Sequence, residues 1–149
     1  MYAQIGPVCD LVSDPDNFVA IMIEELDRLG HNREVVFKLR TMYLYSISGS
    51  FAMITTCHHL LNAHAMPGCY FGLNPEQTHY GFWPLQDLAG YIQHNDGIIT
   101  NDLLEIPEGH RGPVLYVESD KVSFLVPTSV PQGTASTVVF TTMWTANAG

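Results

Sequence analysis

The sequence predicts a mostly β protein carrying one main amphipathic helix. Three observations support this. Residues 35–47 alternate apolar with polar positions, and the final third is rich in Val, Thr, Phe and Trp between tight-turn residues. A 3.6-residue apolar period with both end signals occurs once, over residues 15–29.

That helix begins where Asp14 can accept from free backbone N–H groups and Pro15 suits the first helical position. Phe18, Ile21, Met22, Leu26 and Leu29 recur on one face, and Gly30 supplies the stop. Val35, Phe37, Leu39, Thr41, Tyr43, Tyr45 and Ile47 then predict a long strand, or two in line, with Lys38, Arg40 and Ser46 on its other face. A turn at Ser48-Gly49-Ser50 leads to a return strand over residues 51–56.

From Cys57 to Gly112 breaker pairs such as Pro67-Gly68, Asn74-Pro75, Trp83-Pro84 and Asn95-Asp96-Gly97 leave room only for short strands and one short helix. The helix is placed at residues 85–92 and a short strand at 98–104. Residues 114–118 and 122–126 flank Ser119-Asp120-Lys121 as a tight hairpin. After a connection over 127–134, residues 137–145 form the closing strand. Its Trp-bearing face, Val138, Phe140, Thr142 and Trp144, is the expected core face. With no repeat, low-complexity tract or long linker, the 149 residues read as a single domain.

Charged residues make up only 14% of the chain against 46% apolar, so the expected surface is one that other subunits cover. Six Lys and Arg against fifteen Asp and Glu give a net charge of −9, with no basic run. Phosphate-backbone binding through a cationic patch is therefore not expected. No apolar stretch reaches the roughly 18 residues of a spanning helix, and no secretion signal opens the chain. Cys9, Cys57 and Cys69 are odd in number and lack CxxC spacing, which suggests neither a disulfide framework nor a zinc ribbon.

The sharpest chemical candidate is Cys57-His58-His59 followed by His64, with Cys69 and His79 beyond, since thiolate and imidazole suit zinc or copper. His59 and His64 are one residue too far apart for the His-x-x-x-His pair of one helical face, and no Glu lies between them. No nucleophile elbow, Walker loop or Gly-x-Gly-x-x-Gly pattern is present. The expectation is accordingly no catalytic residue, no metal and no cofactor. Two functional readings stand beside a purely structural role: a small metal-dependent enzyme built on Cys57, His58, His59 and His64, or a β-sandwich binding module. Tyr70, Phe71, Tyr80, Phe82, Trp83 and Tyr91 lack the cationic companions of a base-stacking surface and read as packing residues.

Three segments carry a family resemblance. Residues 39–51, LRTMYLYSISGSF, resemble the mid-barrel strand and Gly-Ser turn of picorna-like virus capsid proteins. KVSFLVP at 121–127 is similar to an alternating strand of those proteins that closes on Val-Pro, and VVFTTMWTANAG at 138–149 to their last strand. The Trp-Arg-Gly type of sequence often found mid-barrel is missing. The resemblance implies an antiparallel jelly-roll sandwich of two sheets, minimal or partial in length. It implies a capsid subunit that assembles with its own copies and other capsid subunits into an icosahedral virion shell.

Overall fold

The computed structural model describes residues 1–11, 14–45, 51–133 and 135–147. These form two compact units, Met1–Trp83 and Pro84–Gly149.

The first unit opens with β1, Gly6–Asp10, and continues into α1, Pro15–Arg28. Asp14 caps α1 by accepting from the Asp16 amide at 3.1 Å. At the other end Gly30 takes a φ of +73°, and the His31 amide reaches back to the Leu26 carbonyl at 3.0 Å. A left-handed turn of this kind is where glycine avoids a Cβ clash and helices stop. Phe18, Val19, Met22, Ile23, Leu26 and Leu29 are buried, which makes α1 the spine of the unit's core.

Two more helices pack on it. α2, Arg33–Tyr45, follows a cap in which the Asn32 side chain accepts from the Glu34 and Val35 amides at 2.9 and 3.3 Å. It buries Val36 and Leu39, while Arg40 reaches Glu24 and Asp27 of α1 at 3.0 and 2.9 Å. α3, Phe51–Asn62, buries Met53, Cys57 and Leu61 against the same core. Next come β2, Cys69–Leu73, and β3, His79–Pro84, which complete a sheet in the order β1-β3-β2. β1 and β3 are antiparallel. The turn between β2 and β3 is organised by Asn74, whose side chain accepts from the Thr78 and His79 amides at 2.8 and 3.0 Å. Phe71 and Phe82 meet at a centroid distance of 5.1 Å beneath the helices.

The second unit begins with α4, Leu88–His94, capped by Asp87, which accepts from the Gly90 amide at 3.0 Å. β4, Ile98–Thr100, runs parallel to β5, Val114–Val117, and a 3-10 turn at Leu103–Glu105 lies between them. β6, Lys121–Gln132, and β7, Ala135–Asn147, complete the sheet order β4-β5-β6-β7 through antiparallel pairings. Ile92, Val114, Leu115, Phe124, Leu125 and Trp144 are buried there. Phe124 and Trp144 stack at 5.5 Å with 15° between their planes.

The predicted α1, the hairpin of β5 and β6, the closing strand and the burial of Trp144 agree with the structure. The rest of the expected core face does not: Val138 and Phe140 are only half-buried and Thr142 is exposed, because this part of β7 lies at the sheet edge beyond the reach of β5 and the register shifts between Thr142 and Trp144. "Mostly β" does not, because helix and strand account for about equal shares. The long strand over 35–47 is α2 as far as Tyr45, and residues 46–50, with the predicted turn, lie outside the described residues. The return strand over 51–56 is α3. In both, tertiary burial at helical spacing overrides the β preference of Val, Thr, Phe and Tyr. The short helix sits at Leu88–His94 instead of 85–92, and the 98–104 strand is a three-residue β4 followed by the 3-10 turn.

Of the 127–134 connection, residues 127–132 are instead the outer half of β6, followed by Gly133 with φ +65°, and residue 134 lies outside the described residues. Among the described residues there are seven strands, in sheets of three and four, and β4 pairs β5 in parallel. The wholly antiparallel arrangement that the resemblance implies is not what these ladders form.

Candidate functional site

The four residues of the metal alternative do not converge. Successive helical residues point about 100° apart, so Cys57, His58 and His59 of α3 face three ways. Cys57 is fully buried in the first unit's core, and burial pushes its thiol pKa up to about 11. His58 is half-buried with its ring edge on Phe71 at 5.2 Å, and burial lowers its pKa. His59 is exposed, facing an open groove of about 560 Å³ that His58, Asn62 and Tyr70 also line.

His64 lies past the helix end and turns to other partners. Cys69 in β2 is half-buried with its pKa pushed up to about 12 by burial, and His79 pairs with Asp10 at 2.9 Å across β1 and β3. Among the described residues no group of three or more His, Cys, Asp or Glu side chains is placed to hold a metal ion.

The partner of His64 could not be read from the sequence. Its Nε2 lies 2.8 Å from Nδ1 of His31, and its Nδ1 lies 2.8 Å from the Met1 carbonyl. A carbonyl only accepts, so His64 donates from Nδ1; its Nε2 then accepts from His31 in the neutral pair. Burial, and then the nearness of His64, lower the pKa of His31. The pair joins the start of the chain to the α1–α2 loop and to the end of α3, where Ala3 donates to the His64 carbonyl at 2.8 Å. No sequence signal marks a contact between residues 33 positions apart.

The most unusual surface is the ribbon of β6 and β7. β5 pairs only with residues 122–125 of β6, so from Val126 to Gln132 that strand has β7 alone as its neighbour. Residues 128–133 are all exposed, and so is most of β7 before Trp144. Among the described residues one ring contact reaches the outer ribbon from its own unit, His110 stacked on Phe140 at 6.0 Å. Residues 122–149 contain no Asp, Glu, Lys, Arg or His, although the chain carries a net charge of −9.

No family profile, curated protein sequence or solved structure matches this chain.

The two edges of the ribbon differ. Pro127 and Pro131 pair with Phe140 and Ser136 of β7, and proline has no N–H to give a neighbour. Such residues fit a ladder only with the nitrogen turned away from the partner strand. The free edge of β6 therefore has prolines at two of the three outward positions 127, 129 and 131. β7 has no proline and ends the sheet. Native sheets protect long free edges with Pro, Lys or bulges; here one edge is protected, and the other has only a register irregularity opposite Phe124 and Leu125. Among the described residues no helix is long and apolar enough to cross a membrane.

Proposed function

We propose that this protein is a structural subunit that acts by associating with other protein chains, its own copies first among them, and that it performs no chemistry. The observation that carries the reading is the β6–β7 ribbon, an uncharged, solvent-exposed extension beyond the reach of β5. An extension with so little side-chain support within its own unit gains stability by being covered. In a chain of net charge −9 it is also a surface on which two copies meet without like-charge repulsion. The separation of Cys57, His58, His59 and His64 argues in the same direction, since the metal-dependent alternative needs them together.

The narrower form of the proposal is a capsid subunit of an icosahedral virion shell. Its support is that β6 and β7 are strands where the resemblance places strands, over 121–127 and over the described part, 138–147, of the last segment. The third resembling segment, 39–51, is helical up to Tyr45 and lends no support. Light scattering across a concentration series, with negative-stain micrographs of the same samples, tests both forms. Association into a defined species supports the proposal, and closed particles of uniform diameter support the shell. A monomer at every concentration overturns the proposal, whereas a small finite oligomer overturns only the shell.

A further inference from the structure

We infer that β7 is the strand through which two copies of this chain join, antiparallel about a twofold axis at Val139, so that two four-stranded sheets become one. The inference deepens the self-association proposed above and rests on it.

The edge comes first. In an antiparallel ladder, pairs that exchange two hydrogen bonds alternate with pairs that exchange none, and members of the latter turn their backbone groups outward on both strands. Pro127 and Pro131 must belong to the second kind, so their β7 partners Phe140 and Ser136 do too. By the period of two, Val138 between them and Thr142 beyond also present N–H and C=O to the free edge. Register is regular from Ala135 to Thr142 and shifts only after that, where Leu125 pairs with Thr142 but Phe124 with Trp144. The outward edge thus offers an unbroken, unbulged run of backbone donors and acceptors with no proline, lysine or carboxylate in it.

The occupant follows from charge and symmetry. A partner strand bearing acid or base gains no counter-charge here, whereas a second β7 brings an equally uncharged edge. A twofold interface must be self-complementary. An axis at Val139 sets Val138 opposite Phe140 of the second copy, Thr137 opposite Thr141, Ser136 opposite Thr142 and Val139 opposite itself. These are the β-branched, aromatic and hydroxyl pairs that sheets favour across strands. Four of the resulting pairs exchange backbone bonds, about eight bonds in all. Val139 then falls at a non-bonded pair, where opposing Cα atoms lie about 4.5 Å apart.

That spacing lies within the range a disulfide bridges, roughly 4.4 to 6.8 Å. Val139→Cys should therefore give a covalent dimer under mild oxidation on a non-reducing gel. Val130→Cys provides the control, because Val130 on β6 is 40% exposed and Val139 is 41%. It should remain uncrosslinked beyond the background of the parent chain, which carries the same three native cysteines. Val138→Pro removes one outward N–H and no bond to β6. It should weaken association by roughly tenfold or more, with an unchanged circular dichroism spectrum. Equal cross-linking at 130 and 139, or association by Val138→Pro as tight as the parent's, overturns the β7 interface and leaves self-association standing. A parent chain that is monomeric throughout overturns both.

Discussion

Replacing Trp144 with alanine tests the second unit's core most directly. Trp144 is 5% exposed and stacks on Phe124, so nearly its whole side chain is withdrawn from water. A buried tryptophan removes about 150 to 250 Å² from solvent, equivalent to about 4 to 6 kcal/mol at 25 cal/mol per Å² as an upper estimate. Large aromatic-to-alanine changes in cores cost about 3 to 5 kcal/mol. A unit spanning Pro84–Gly149 holds on the order of 3 to 10 kcal/mol in total if it follows the usual per-residue stability. Trp144→Ala should thus remove most of it, and Trp144→Phe, which keeps a ring against Phe124, well under half. Urea unfolding followed by circular dichroism reads the midpoint, and amide exchange on peptides from β5 and β6 reads the location. An unchanged midpoint with both strands still protected would refute the placement of Trp144 in the core.

Acid should destabilise the first unit. The pKa values of His31 and His58 are lowered in the fold, mainly by burial, and return to about 6.5 when the chain unfolds, so the unfolded state binds more protons below that pH. Their contribution is therefore complete above about 6.5 and lost as pH falls through the lowered folded values; a melting temperature flat or rising from pH 7 toward about 5 contradicts this. Gly81→Ala should cost about 1 to 3 kcal/mol, because the added methyl group meets the Gly6 carbonyl oxygen and Pro7 across β1 and β3. A melting temperature equal to the parent's would show that this pairing gives way freely. Native Cys57 and Cys69 should label slowly with a thiol reagent at pH 8, since pKa values near 11 and 12 leave thiolate fractions of about one in a thousand and one in ten thousand. Denaturant should release both, and rapid labelling of the native chain would show that these thiols are accessible.

α1 was legible because Asp14, Pro15 and Gly30 each limit what the backbone can do locally, independent of the rest of the chain. α2 was not, because its residues satisfy two periods at once. Val35, Phe37, Leu39 and Tyr43 alternate as in a strand, yet the fold buries Val36 and Leu39 and leaves Phe37 70% exposed. The deciding signal was Asn32, a cap one residue before Arg33, which the alternation obscured. On the ribbon, residues 127–134 read as a connection in the sequence, because the effect of a strand proline depends on whether its N–H side faces a neighbour, and only the pairing of β6 decides that. The cysteine and histidines were close in sequence but lay on a helix, which separates adjacent side chains as surely as it unites those four apart. His31 and His64 became neighbours only through the packing of α1 and α3.

Each of the two units is a single continuous run of sequence, and β7 follows the other described elements. On the ribosome, where chains emerge from the N-terminal side at about 5 to 20 residues per second, the first unit is complete before the second is finished. The strand with the open edge is exposed only after β6, its covering neighbour on the other side, has been made. Nascent chains on one messenger are crowded together, so a sticky edge made early would entangle them. If β7 joins two copies as proposed, this order delays their recognition until the elements that precede it have been made.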